Sequence, residues 1–402
     1  MTLPDGRLVA RTRRIDGPLD LLVCAGAEGL LHSQRGAGLA GRGVVARVAA
    51  TDVTAALAAI KVDDEVARPG TGPVAFGALP FRPDATAELV IPEVIWGTAD
   101  GETWVTTIGP PDLEPPTAPE AGDTGTGPAE VTATPARSPE WWCELVARAT
   151  AVLRDAGEGG LSKVVLAREV LVDADAPFQL TAVLRRLEAA YPECFLFHVD
   201  GFVGASPELL VERIGEHVRA QPMAGTAPRG TDPEADARLA ADLMASPTYR
   251  HEHQITIDMV YDTLLPWCSY LDYEAEPSIA AMANVQHLAT LVEGRLSQPE
   301  PSVLELVAAL HPTPAVSGWP RDLAIEWIEA NEGFPRGRYG GAVGWVDAGG
   351  NGRWAVSIRC AEIDGAHARV FAGNGIVADS DSRTELAETE AKLAAMLRAL
   401  RG

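Results

Sequence analysis

Apolar and polar residues alternate in several short runs of the chain and recur at helical spacing in others. Lys163–Val172 reads KVVLAREVLV, alternates, and is rich in Val and Leu, so it predicts a strand. Its two-residue period puts Lys163, Val165, Ala167 and Glu169 on one face. Cys194–Val203, Leu209–Arg213, Gly340–Asp347, Trp354–Ile363 and Ala368–Ala372 predict further strands. Ser138-Pro139-Glu140 has a capping hydroxyl, a proline for the first turn and an acid suited to the helix dipole. A helix is therefore expected from about Pro139 to Ala156, stopping at Gly157. Glu234–Ala245, about His251–Leu265 and Arg383–Arg401 predict three more helices. In the last, Leu386, Leu393, Leu397 and Leu400 form the buried stripe, and Ser380 and Ser382 offer caps. Several strands follow one another without strict strand–helix alternation, which predicts an α+β fold with antiparallel sheet.

The stretch 109–139 breaks these patterns. It holds eight of the thirty prolines with much Gly, Thr, Glu and Asp, and predicts an exposed connector. It separates an N-terminal part, 1–108, from a longer C-terminal part, 140–402.

Composition narrows the function. The 56 acidic residues outnumber 33 Lys and Arg, a formal charge of −23. Such a surface repels phosphate backbones and anionic lipid, so nucleic acid and membranes are not expected partners. No apolar stretch approaches the ~20 residues of a membrane span, and the N-terminus does not read as a signal peptide. Five scattered cysteines without a Cys-x-x-Cys pair form neither a disulfide framework nor a zinc site, which suits a cytoplasmic protein. Only Lys61, Lys163 and Lys392 are lysines, which makes their positions worth noting.

Several residues could carry chemistry. Glu385, Glu388 and Lys392 lie three, four and seven residues apart and share a second face of the last helix. They read either as a solvated ion-pair ladder or as carboxylates for a hard divalent cation. Gly373-Asn374-Gly375 reads as a tight turn, or as a close-approach loop whose amide groups bind a carboxylate. His251-Glu252-His253 opens a predicted helix; histidines two apart point in different directions and make no zinc face. Glu208 borders an apolar strand, where burial raises a carboxyl toward use as a general acid. An inward Lys163 becomes a usable base by desolvation. Each residue, taken singly, is also compatible with an ordinary surface charge.

A set of segments then carries a resemblance: KVVLAR (163–168), GASPELL (204–210), PMAGTAPRG (222–230), HEH (251–253), VQHLAT (285–290), HPTPAVSGWP (311–320), RGRYGGAVGW (336–345), SIRCAEI (357–363) and FAGNGIVADSDSRTELAETEAKL (371–393). Their order and approximate spacing resemble the chorismate-utilising enzymes, over about Glu140 to the C-terminus. Within that family the chain is most similar to the isochorismate synthases. Lysine at position 163 resembles those enzymes and the salicylate synthases, where ammonia-using members carry glutamine. HPTPAV also resembles isochorismate synthase.

The resemblance implies one large domain of antiparallel sheets packed together, with helices outside. It implies conversion of chorismate to isochorismate, with Lys163 as general base for water attacking C2 and Glu208 as general acid for the leaving C4 hydroxyl. It implies Mg2+ held by Glu252 and Glu388, with Glu385 supporting. Arg359 and Tyr339 bind the enolpyruvyl carboxylate; Gly225, Thr226, Ala315, Gly373 and Gly375 line the site; His287 lies near the ring; Lys392 pairs with the helix carboxylates. A monomer without a glutaminase subunit is implied. Two departures stand out: Thr248-Tyr249 replaces the lysine–acid pair many relatives have, and Asn374 stands where a small residue is frequent. Salicylate synthase, which adds pyruvate elimination, is the nearest rival; a non-catalytic chorismate-binding protein is the rival from another class.

Overall fold

A computed structural model describes residues 8–120 and 127–402. The part of the proline-rich segment at 121–126 lies outside the described residues.

Two large sheets dominate. One has thirteen strands and runs from Val131–Pro135 through Lys163–Ala174, His367–Ile376, Cys360–Asp364 and Phe202–Ser206 to the N-terminal strands. The other has nine strands and includes Leu209–Ile214, Gly352–Val356 and Ala342–Asp347. A three-stranded sheet of Met223–Pro228, Val285–Ala289 and Ser278–Ala281 stands beside them. Among the described residues, pairing is antiparallel except between Val9–Arg14 and Lys61–Asp64. N-terminal strands enter both large sheets: Leu30–Gln34 pairs with Phe195–Val199, and Val74–Leu79 with Ala342–Asp347. Val131–Pro135, within the proline-rich segment, pairs with Val170–Ala174 at a sheet edge.

Strand alternation explains the layering. Phe195 and Phe197 point into a core shared with Phe76, Trp345 and Trp354 of the nine-stranded sheet. Leu196, between them, points to the opposite face, where Val183, Leu184 and Leu187 of one helix and Leu393, Met396 and Leu400 of the last cover it. Each such buried apolar side chain contributes about 1.5–3 kcal/mol. Val164 and Leu166 likewise face helices Pro139–Asp155 and Arg321–Asn331, which leaves Lys163, Val165 and Ala167 facing inward as the period predicts.

Several expected boundaries shift, and each shift has a local cause. Cys194–Val203 is not one strand but a hairpin, Phe195–Val199 and Phe202–Ser206. Asp200 and Gly201 both take positive φ, 47° and 72°, the geometry of a two-residue hairpin turn. Trp354–Ile363 also divides. Gly352–Val356 belongs to the nine-stranded sheet and Cys360–Asp364 to the thirteen-stranded one, and the chain crosses at Ser357–Arg359 with Arg359 at φ 53°. The helix expected at His251 begins at Pro247, capped by the Ser246 hydroxyl, so Glu252 sits inside it. The last helix is capped by Asp381 rather than by Ser380 or Ser382. Gly373-Asn374-Gly375 is not a tight turn: it lies in the long strand His367–Ile376, opposite Ala167, Leu166 and Val165.

Candidate active site

One cleft, with about 940 Å³ of empty space counting its open mouth, brings together every residue that the resemblance assigns to the site; Lys61, Thr248, His251, His253 and Asn374 do not line it. Lys163, Gly373 and Gly375 come from two paired strands of the large sheet. Glu208 comes from the link to Leu209–Ile214, and Gly225, Thr226 and His287 from the small sheet. Glu252 comes from one helix; Glu385, Glu388 and Lys392 come from the last. Ala315, Tyr339 and Arg359 complete the wall from loops.

The Lys163 strand is held from behind by a buried ion pair. Glu332 accepts from the Ala167 amide at 2.7 Å and pairs with Arg336, which also donates to the Val165 and Val316 carbonyls at 2.7 and 2.8 Å. These bonds join the strand to the segment carrying Ala315. Lys163 itself is buried, and its Nζ lies 2.8 Å from Glu252 Oε1.

Glu208 is 3% exposed, and its Oε1 meets only the Met223 amide, at a long 3.5 Å. Burial pushes its carboxyl up from 4.5 to about 8, against smaller opposing effects of that amide, Lys163 and Arg359. A carboxyl in that state holds its proton at neutral pH and can give it away.

Arg359 projects from the sheet crossing and lies 3.0 Å from His287 Nε2. A guanidinium only donates, so Nε2 is the acceptor and the proton sits on Nδ1, within 3.1 Å of Thr226 Oγ1 and 3.2 Å of the Gly225 carbonyl. Burial, with the positive charge of Arg359, holds this ring well below its ordinary value and hence neutral. Tyr339 stacks on Phe371 with centroids 5.1 Å apart, and burial raises its phenol.

The cleft floor depends on missing side chains. A Cβ on Gly375 would sit 2.7 Å from Lys163 Cε and 2.8 Å from Glu252 Oε1; on Gly373 it would sit 2.7 Å from the Tyr339 hydroxyl. Gly225 takes φ 71°, which favours glycine, and passes close to Tyr249.

On the acidic side, Glu388 Oε1 lies 2.6 Å from Lys392 Nζ. Burial, then the neighbouring Glu388, raises Glu385 from 4.5 to about 7. Glu252, Glu385 and Glu388 all push up the Tyr249 phenol, after the larger effect of its own burial. These carboxylates are hard oxygen donors of the kind Mg2+ takes. Among the described residues no three His, Cys, Asp or Glu side chains are gathered closely enough to hold an ion by themselves. Mg2+ commonly takes only one or two protein carboxylates and completes its shell with water and other oxygens, which this donor chemistry suits.

Sequence reasoning missed part of the wall. Val165, Met223, Tyr249, Ile358, Phe371 and Thr384 also line it. Strand alternation from Lys163 pointed to Val165, and Met223, Ile358, Phe371 and Thr384 lie inside the quoted motifs without having been assigned to the site. Tyr249 drew notice only as a departure. No helix among the described residues is long and apolar enough to cross a membrane.

Comparisons with known proteins bear on the family. Residues 117–401 match the family described as chorismate binding enzyme. A MenF protein of Mycobacterium tuberculosis is 41% identical over 375 residues, covering 90% of this chain and 93% of the relative. The isochorismate synthase DhbC of Bacillus subtilis is 38% identical, covering 82% of this chain and 81% of its own. The crystal structure of a DhbC from Bacillus anthracis superposes with a TM-score of 0.81 at 33% identity, covering 94% of this chain and 98% of that one. The chain belongs to the chorismate-binding enzyme family.

Proposed function

We propose that this protein is an isochorismate synthase, which converts chorismate to isochorismate by adding water at C2 of the ring as the C4 hydroxyl leaves. The observation that carries this reading is the buried Glu208 carboxyl in the same cleft as Lys163 and Arg359. Lys163 takes a proton from the attacking water. The ring double bonds shift, and Glu208 gives its proton to the departing C4 oxygen, so one water enters and one leaves. Acid and base come from different elements, which lets them serve the two ends of the displacement.

Chorismate carries two carboxylates, and the cleft has a group for each. Arg359 offers a planar donor fork for the enolpyruvyl carboxylate, beside the Tyr339 hydroxyl. His287 orients that fork from behind, and Gly373, Gly375, Gly225, Thr226 and Ala315 let the ring approach. Glu252 and Glu388 would hold Mg2+, with Glu385 in support, and the ion would supply positive charge for the ring carboxylate. Glu252 Oε1 also lies 2.8 Å from Lys163 Nζ, so the same carboxylate would serve both the amine and the ion. Lys392 keeps Glu388 in place. The reaction uses no ammonia and hence no glutaminase subunit. The reading takes the chain to act as a monomer in the cytoplasm.

Incubation with chorismate and Mg2+, with products separated by chromatography, tests the reading. Isochorismate should form and should disappear with Lys163→Ala, while circular dichroism stays unchanged. Salicylate and pyruvate as the main products, or equal turnover by Lys163→Ala, would overturn it.

A further inference from the structure

Asn374 lies between the two floor glycines, but strand alternation turns its side chain away from the cleft and toward the last helix. It is 2% exposed. Its Nδ2 donates to the Glu385 carbonyl at 2.8 Å and to Glu385 Oε2 at 3.0 Å. Its Oδ1 accepts from Lys392 Nζ at 2.8 Å. The partners fix the amide's orientation, since an ammonium only donates and a backbone carbonyl only accepts. Lys392 Nζ also donates to the Gly373 carbonyl at 3.0 Å and pairs with Glu388 at 2.6 Å, so three acceptors surround its three N–H groups. One buried amide thus fixes Glu385 directly and Glu388 through Lys392.

Without that tie the two carboxylates, three residues apart on one helix face, repel each other and are free to rotate apart. We propose that Asn374 is a positioning residue that presets Glu385 and Glu388 for a divalent cation. The inference rests on the Mg2+ reading above. It goes beyond that reading by giving metal affinity to a side chain that touches neither substrate nor ion. It also supplies outer support to the carboxylates of the last helix.

The test reads metal binding apart from turnover. Mn2+ is titrated into the full chain, free ion is read by electron paramagnetic resonance, and Mg2+ is used as competitor. Asn374→Ala and Asn374→Leu, the second keeping the volume, should each weaken binding by about tenfold or more. Raising Mg2+ should recover most of the turnover lost at low Mg2+, a split that a merely structural role does not produce. Wild-type affinity in either folded variant would overturn the proposal. A wild-type chain that isomerises chorismate yet binds no divalent cation would overturn the Mg2+ reading, and the proposal with it.

Discussion

Replacing Glu208 by glutamine removes the acidic proton while keeping the shape of the side chain. The wild-type carboxyl is raised from 4.5 to about 8 by burial, so between those values it is neutral in the folded protein and ionised in the unfolded chain. Its contribution to stability is full below the unfolded value and is lost as pH rises through about 8. At about 1.4 kcal/mol per pH unit, the loss between about pH 6 and about pH 9 comes to roughly 2–3 kcal/mol. Glutamine has no such titration. In urea melts, Glu208→Gln should therefore gain on the wild type by about that amount over the same span. Turnover should move the other way. A general acid contributes about 10²–10⁴-fold, so kcat should fall by about that factor, or roughly 3–5 kcal/mol of barrier. Wild-type kcat should itself decline as pH rises through about 8, with that limb absent from the residual activity of the variant. Glu208→Gln turnover within about threefold of wild type would refute the role of Glu208. A stability difference constant across the pH span would refute the buried, raised carboxyl.

Other substitutions probe the remaining supports. Gly375→Ala puts a methyl 2.7 Å from Lys163 Cε and should cost about 10²-fold in kcat, with circular dichroism unchanged. His287→Ala removes the acceptor from the Arg359 guanidinium; a hydrogen bond to a charged group is worth about 1.5–3 kcal/mol, so KM for chorismate should rise about tenfold or more in steady-state kinetics. Glu332→Ala leaves the buried Arg336 guanidinium without its carboxylate and should destabilise the fold by about 3–5 kcal/mol in denaturant melts.

Much of the site was legible in the sequence because strand period and helix spacing fix which side chains share a face. Lys163 faces inward with Val165 because alternation requires it, and Glu385, Glu388 and Lys392 meet on one helix face for the same kind of reason. The sharing of two sheets was not legible. Trp354–Ile363 reads as one apolar run, and only the tertiary structure shows the chain leaving one sheet for the other at Arg359. The hairpin at Asp200-Gly201 was missed although its turn dipeptide was in plain view, because the apolar residues on both sides read as continuous. Pairing of Lys163 with Glu252, and the seating of Asn374 under the last helix, join residues far apart in the chain. No local pattern reports such contacts.

The mechanism makes the origin of one oxygen atom its most direct measurement. The reaction is run with chorismate and Mg2+ in water enriched in oxygen-18, and the product is analysed by mass spectrometry and carbon NMR. The account predicts isochorismate carrying solvent oxygen at C2, with the original C4 oxygen released to water. Isochorismate without label, or a product other than isochorismate, would contradict it.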